Sequence, residues 1–329
     1  MQVKKIDLET TELVKADFRP VAFQDFIGQE DITRVVKTAI ASSKKSQRTL
    51  GHMLLLGPAW YGKTTLSQII AHELGTSCKV VTAYAITKPA DIISLLNALS
   101  EWDVLFIDEI HRLAPKIEEM LYTAMEDYVI DMVMPDGGHV KIPLQPFTLI
   151  GATTKADHLS KPLKSRFVYK FHFSDYTDHE KEKIIWYYMG KLGIVGTHSN
   201  VSYGGVSGNG NSSDCIGEFA KLVENIPREL HNACVRMYDY LNVHHKSLEL
   251  SREAIEEFAT WNNAREGGLN MLHTAYLEVL EGANRPMSLN TIAVKMWLDE
   301  KTVEEEIEPL LIKLGYVERG PRGRVLAIV

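Results

Sequence analysis

The chain has 329 residues, a formal net charge of −7 and a composition that is 45% hydrophobic and 24% charged. This length predicts two or three domains, the composition is that of a soluble globular protein, and the negative charge allows only a local basic patch for nucleic acid. No apolar run reaches the roughly 18 residues of a membrane helix, the start MQVKKIDLETTELVK lacks a signal-peptide core, and three scattered cysteines form no CxxC pair. We therefore expect a cytoplasmic protein with no membrane partner, no disulfide framework and no zinc site.

The first half alternates short apolar runs with helical patterns, which is typical of an α/β fold with a parallel sheet flanked by helices. The runs are continuously apolar, as in strands buried on both faces. They cover residues 52–57, 79–84, 103–109 and 147–154. A helix is predicted over 66–75, ended by Gly75, and the alternation over 129–142 around Asp-Gly-Gly predicts a hairpin.

The second half is mainly helical. Residues 196–214 are rich in Gly, Ser and Asn and predict a flexible connection between helices. From about residue 264, three helical patterns precede two strand-like pieces around a basic turn, which is the outline of a winged helix. We expect an ATPase domain over 1–176, a helical lid domain over 177–263 and a winged-helix domain over 264–329.

The loop GPAWYGKTT, residues 57–65, has the frame of a phosphate-binding loop. A predicted strand precedes it and a predicted helix follows, so backbone N–H groups can cradle phosphates at the helix N-terminus. Lys63 would reach the β- and γ-phosphates of ATP, and the Thr64 hydroxyl would hold Mg²⁺. The alternative is a glycine-rich turn that only caps a core helix. Trp60 is unusual, because such loops keep small residues there.

Acidic and hydroxyl groups follow two later strands. Asp108 would bind Mg²⁺ through water, and Glu109 would polarise the attacking water. Thr154 closes another strand, at the edge where a γ-phosphate sensor would lie. Strand ends also carry solvated acids, and a lone His111 beside this pair is more often structural than catalytic.

Several arginines complete the candidate site. Arg166, just past the last predicted strand, could project toward a neighbouring subunit and neutralise transition-state charge there, unless it only forms a surface salt bridge. Arg228, in the helical domain, could reach the same nucleotide. The turn ERGPRGR has little acid beside its arginines and suits phosphate contacts, although basic turns are usually only solvated. These arginines are Arg319, Arg322 and Arg324.

A series of segments extends over nearly the whole chain, in the order FRPVAFQDFIGQE, GPAWYGKTT, DVLFIDEIHRL, LYTAMEDY, PFTLIGATT, LKSRF and EPLLIKLGYVERGPRGRV. Together they closely resemble the bacterial RuvB-type Holliday-junction branch-migration ATPases. The resemblance implies an AAA+ large domain, a small helical lid and a C-terminal winged helix. It also implies a homo-hexameric ring that pumps duplex DNA with ATP and Mg²⁺ beside a RuvA-type junction-binding protein, and a RuvC-type resolvase as a further partner.

The same resemblance implies roles for individual residues. Arg19 and Ile27 would lie near adenine and ribose. The phosphates would be bound by Gly62, Lys63, Thr64 and Thr65. Further nucleotide-site or interface positions would be Glu126, Asp127, Tyr128 and Tyr176. Thr154 would be the first sensor, Arg166 the arginine finger acting in trans, Arg228 the lid sensor, and Arg319 and Arg324 DNA-backbone contacts.

The chain departs from the family pattern in its loop, where GPPGLGKTT is usual and Ala59, Trp60 and Tyr61 stand here. The hairpin at 131–141, which in the family meets the RuvA-type partner, is shorter. A DNA-translocating motor, a nucleotide-switched DNA-binding protein with slow turnover and a clamp-loader-like subunit remain the alternatives. Glu109 and Arg166 favour the motor, Trp60 favours the switch, and the arginine-rich turn argues against the clamp loader.

Overall fold

The computed structural model describes residues 19–133, 139–195, 213–283 and 285–327. The chain forms two compact units. The first contains the described residues up to Glu180 together with Ile226–Arg228, and the second contains Lys181–Asn225 and the residues from Glu229 onward. Within the described ranges, no helix is long and apolar enough to cross a membrane.

A five-stranded parallel sheet forms the centre of the first unit, in the order β2-β3-β6-β1-β7. Its strands are β1 Met53–Leu56, β2 Cys78–Thr82, β3 Val104–Asp108, β6 Thr148–Thr153 and β7 Tyr169–His172. Every residue of β1 and β6 is buried, as their continuous apolar runs predict. The edge strand β7 was not predicted, because its sequence YKFH alternates polar and apolar residues and only one of them is buried.

One helix of the first unit precedes β1 in the chain, and the others lie between the strands. They are α1 Glu30–Ser46, α2 Lys63–Leu74, α3 Pro89–Asn97, α4 Pro115–Glu126 and α5 Lys161–Arg166. Helix α2 begins three residues earlier than its apolar pattern predicts, because Gly62 takes the left-handed N-cap conformation directly before Lys63. It ends where predicted: the Gly75 N–H donates to the carbonyls of Ala71 and His72.

The predicted hairpin forms from β4 Val129–Val133 and β5 His139–Pro143, which pair antiparallel with Val129 opposite Pro143. Its predicted Asp-Gly-Gly turn, residues 136–138, lies outside the described residues. So does most of the Gly/Ser/Asn-rich stretch, residues 196–212.

Among the described residues, the helical part of the second unit has four helices. They are α6 Asp178–Lys191, α7 Ser213–Lys221, α8 Pro227–His244 and α9 Arg252–Trp261, and the first residues of α6 and α8 belong to the first unit. The sequence patterns did not single out α9. It begins at the N-cap Ser251, whose hydroxyl accepts from the Ala254 N–H, and it buries Phe258.

The C-terminal part has its own helices and ribbon. They are α10 Met271–Glu281, α11 Leu289–Met296, α12 Glu300–Thr302, α13 Glu308–Lys313, β8 Val317–Gly320 and β9 Gly323–Leu326, with a π-helical turn Val303–Ile307 before α13. The ribbon pairs antiparallel, as predicted. A hydrophobic core drawn from residues 269–326 alone, including Tyr276 and Leu311, holds these elements together. The domain boundary at 263/264 stays a prediction.

Candidate nucleotide site

The strand order of the sheet brings the candidate residues to one edge. The phosphate-type loop follows β1, Asp108 ends β3, and Thr153 ends β6, which lies between those two strands. Because parallel strands end at the same side of a sheet, these positions meet at its carboxyl edge, where open α/β sheets bind their ligands.

The loop is held by its own backbone and by its lysine. Gly62 has φ 93°, and a Cβ there would lie 3.2 Å from the Phe26 ring, so only glycine suits this turn. The Lys63 ammonium is buried and donates to the carbonyls of Gly57, at 2.8 Å, and Pro58. Burial lowers the pKa of Lys63, while Asp108 and Glu109 act against that shift. Thr64 and Thr65 follow in the first turn of α2.

The two aromatic residues of the loop take opposite positions. Trp60 has φ 65°, is 53% exposed, and its ring lies 5.4 Å from the Arg228 guanidinium. Tyr61 is buried, and its hydroxyl donates to Asp175 at 2.6 Å. The Tyr176 hydroxyl donates to the Tyr61 carbonyl at 3.0 Å. The Trp60 indole therefore lies on the outside of the loop. Tyr61 and Tyr176 hold the loop in place through these two hydrogen bonds.

Two other predicted nucleotide residues lie on the segment before α1. Ile27 is half-buried. Its neighbour Phe26 packs on Gly62 of the loop, and a Cβ at its other neighbour, Gly28, would lie 2.7 Å from the Tyr176 ring. The segment is thus in contact with the loop. Arg19 is exposed at the start of the described chain.

The acidic residues are linked to β6 through a histidine. Asp108 is half-buried; burial raises the pKa of its carboxyl, and the hydrogen bond from the Glu109 N–H, at 3.0 Å, lowers it. The Glu109 carboxylate lies 3.1 Å from His111 Nδ1, which also meets the Thr153 hydroxyl at 2.8 Å. Thr154 reaches the same carboxylate at 3.5 Å.

His111 therefore contacts Glu109 and the end of β6, and the structural role suggested by its lone occurrence stays a prediction. Its side chain is 3% exposed, and burial lowers the pKa of the imidazole, so the ring is neutral at pH 7. The signal that could have found it is the spacing Glu-x-His in the turn after a strand, because a single 3₁₀ turn, Ile110–Arg112, brings the ring back to Glu109.

A second group of predicted residues lies away from the loop. Tyr128 packs edge-on to Phe147 at 6.0 Å, at the amino end of β6, so the six-residue length of that strand separates it from the carboxyl edge. Asp127 is the C-cap of α4. Glu126 pairs with Arg166 at 3.1 Å, in the helix that leads to β7. These four residues are near one another but do not reach this chain's own loop.

Acidic residues lie beside two arginines of the terminal turn, contrary to the expectation that little acid lies there. Glu308, at the start of α13, is fully buried and accepts from Arg324 Nε at 2.9 Å and Arg319 Nη2 at 2.6 Å. Glu304 lies 3.5 Å from Arg319 and 3.8 Å from Arg324. The acids come from the preceding helical segment, which the local sequence could not show. Arg322 lies exposed at the tip between β8 and β9.

Comparison with known proteins gives a consistent result. The model for the Holliday junction DNA helicase RuvB P-loop domain matches residues 18–173, and that for the RuvB C-terminal winged helix domain matches residues 266–328. The chain is 37% identical over 330 residues to the Holliday junction branch migration complex subunit RuvB of Campylobacter fetus, covering 99% of this chain and 91% of that protein.

Its counterpart of the same name from Helicobacter pylori is 39% identical over 332 residues, covering 99% of this chain and 93% of that protein. A solved structure of the Thermotoga maritima RuvB Holliday junction branch migration motor matches with a TM-score of 0.75 and 32% identity. That match covers 94% of this chain and 95% of the Thermotoga chain.

Proposed function

This chain belongs to the RuvB family, and from that membership we propose that it is an ATP-driven motor that moves duplex DNA to drive branch migration of Holliday junctions. The observation that carries the proposal is the meeting of Lys63, the Asp108–Glu109 pair and Thr154 at one edge of the sheet. A P-loop lysine, a metal-binding acid, a water-activating acid and a sensor are the parts that ATP hydrolysis needs.

The site fits Mg²⁺ bound together with nucleotide. Among the described residues, no group of three or more His, Cys, Asp and Glu could hold a metal by itself. Mg²⁺ usually binds through one or two protein ligands plus phosphates, which suits Thr64 and the half-buried Asp108. When bound, the ion neutralises charge on the phosphates. Lys63 would leave its loop carbonyls for the phosphates, with Gly62 and Thr65 beside it.

Glu109 is the group that orients the attacking water and takes its proton. His111 and Thr154 lie 3.1 Å and 3.5 Å from the same oxygen of this carboxylate, Oε2, so both restrain its direction. The remaining nucleotide contacts that we propose come from Arg19, Ile27, Tyr176 and Arg228.

Arg166 completes the reaction from a neighbouring subunit. It lies near Glu126, Asp127 and Tyr128 and away from its own loop, which fits a finger delivered in trans within a homo-hexameric ring. Such an arginine neutralises the charge that develops on the transferred phosphoryl group.

We further propose a helical lid over 177–263 and a winged helix over 264–329 that meets the DNA backbone through Arg319, Arg322 and Arg324. A RuvA-type protein would bind the hairpin at 131–141, and a RuvC-type resolvase would act on the same junction in the cytoplasm. The alternative function, a nucleotide-switched DNA-binding protein, rests on the bulk of Trp60 as it stands in this sequence, although the indole is 53% exposed and turned outward.

ATP hydrolysis with and without duplex DNA tests the proposal, with Lys63→Ala as the inactive control. A motor hydrolyses ATP several-fold faster when DNA is present, and Glu109→Gln binds ATP but does not turn it over. Tight ATP binding with equal, slow turnover in both conditions would instead identify the switch.

A further inference from the structure

The side chain of Tyr122, on α4, contacts both ends of the short helix α5 that carries Arg166. Its ring lies 4.4 Å from the Arg166 guanidinium, a cation–π distance. Its hydroxyl donates to Glu118 at 2.9 Å and lies 3.0 Å from the Ser160 hydroxyl. Ser160 is the N-cap of α5 and accepts from the Leu163 N–H at 3.2 Å. One aromatic residue therefore contacts both the N-cap of α5 and the arginine at its C-terminal end.

The contacts around Arg166 restrict it further. Nη1 donates to the Pro162 carbonyl at 2.9 Å, and Nη2 donates to Glu126 at 3.1 Å. Glu118, which accepts from Tyr122, is buried and also accepts from the Ser160 hydroxyl. Burial raises the pKa of the Tyr122 hydroxyl, so it stays protonated and keeps donating. The guanidinium is thus held between a ring and a carboxylate, both supplied by α4.

We propose that Tyr122 is a positioning residue for the arginine finger: its ring and hydroxyl hold Arg166 in the direction of the neighbouring subunit's nucleotide. The proposal rests on the proposed trans role of Arg166. The segment LYTAMEDY, which contains Tyr122, lies away from the chain's own loop. The proposal gives this segment a function at the neighbouring subunit's nucleotide. Tyr122 then serves a nucleotide that its own subunit does not bind.

The test removes the ring without removing the bulk. We expect Tyr122→Met to lower ATP turnover by between about twofold and thirtyfold, the range of a cation–π contact, with ATP affinity unchanged. Tyr122→Phe keeps the ring and should retain most of the turnover. Tyr122→Leu serves as a second variant without the ring.

Mixed rings show which nucleotide Tyr122 serves. A Tyr122→Met subunit has an intact phosphate-binding loop and a misplaced Arg166, whereas a Lys63→Ala subunit has an intact Arg166. Mixing the two should therefore restore turnover. Mixing Tyr122→Met with Arg166→Ala should not, because neither protein supplies a finger. Restoration by Arg166→Ala, or by neither, would overturn the proposal. A mixture of Arg166→Ala with Lys63→Ala tests the trans finger itself, so its failure would point to the proposed function and not to Tyr122.

A separate observation concerns the tryptophans. The described residues contain eight non-glycine residues with positive φ, and three of them are Trp60, Trp102 and Trp297. The whole chain has only five tryptophans. Positive φ is uncommon outside glycine and is an outlier for a bulky residue. Trp297 is the C-cap of α11, with φ 57°, a conformation that favours glycine, and it is 95% exposed.

Burial does not offset the backbone strain at two of these positions. Trp60 and Trp297 are mostly in solvent, and the half-buried Trp102 stands in the turn before β3 with φ 70°. We infer that positions 60, 102 and 297 are glycine positions. The protein made in its own host would carry glycine at all three, because one codon, UGA, is read as tryptophan in some genetic codes and as glycine in others.

The gene and the native protein test this inference. UGA should specify positions 60, 102 and 297, whereas UGG should specify the two helical tryptophans, Trp186 and Trp261. Peptides from the native protein should contain glycine at the three positions. Changing Trp297 to Gly should raise the folding equilibrium constant by up to about tenfold, because glycine relieves the strain of a left-handed backbone conformation. Trp261→Gly should lower the same constant. UGG at the three positions, or indoles in the native peptides, would overturn the inference.

Discussion

Replacing Arg324 by alanine should destabilise the C-terminal part of the protein more than it weakens DNA binding directly. Glu308 is fully buried and depends on three donors: Arg324 at 2.9 Å, Arg319 at 2.6 Å and the Tyr276 hydroxyl at 2.8 Å. Removing one partner of a buried pair typically costs 3–5 kcal/mol. Because Arg319 remains, we expect a loss of about 2–3 kcal/mol in the free energy of unfolding.

Urea unfolding followed by circular dichroism measures this loss, and Arg322→Ala is the matched control on the same turn. Arg322 is exposed at the tip, so its removal should leave stability within about 0.5 kcal/mol of the parent. It should instead lower the slope of log affinity for duplex DNA against log salt by about 0.9, the value for one phosphate contact. An Arg324→Ala protein as stable as the parent would refute the idea that Glu308 depends on this arginine.

Two more predictions follow from the buried histidines. His52 accepts from the Leu149 N–H and contacts the Met125 carbonyl, and burial lowers its pKa. The folded imidazole is neutral, whereas the unfolded one takes a proton near pH 6.5. The free energy of unfolding should therefore fall as pH drops below about 6.5, by up to about 1.4 kcal/mol per pH unit. His52→Gln should flatten this part of the stability–pH curve, and an unchanged curve would contradict the prediction. His111→Leu should lower kcat about tenfold or more with KM unchanged. His111→Asn keeps an N–H near Glu109 and should retain most of the rate. Equal rates for the two variants would show that the contact between residue 111 and Glu109 does not affect catalysis.

The sequence predicted best what depends on local patterns. The strands that are continuously apolar, such as Val104–Asp108, were found because both faces are buried. The edge strand Tyr169–His172 was not, since only one of its residues is buried. The start of α2 was misplaced because the backbone of Gly62, and not the apolar pattern, decides where that helix begins.

Contacts between distant elements could not be predicted. Arg324 and Glu308 are 16 residues apart in sequence, and only folding places the carboxylate beneath the ribbon. His111 and Thr153 are 42 residues apart and meet because β3 and β6 are neighbours in the sheet. The resemblance named the residues of the site, but it did not show which of them contact one another.

The hydrogen bonds that Lys63 makes to its own loop have a consequence for the catalytic cycle. A buried ammonium without acceptors would be costly, and here the carbonyls of Gly57 and Pro58 accept from it. If Lys63 binds phosphate as we propose, an arriving phosphate would have to displace these carbonyls from the ammonium. When product leaves, the ammonium would return to them, so the loop itself would compete with bound product for Lys63.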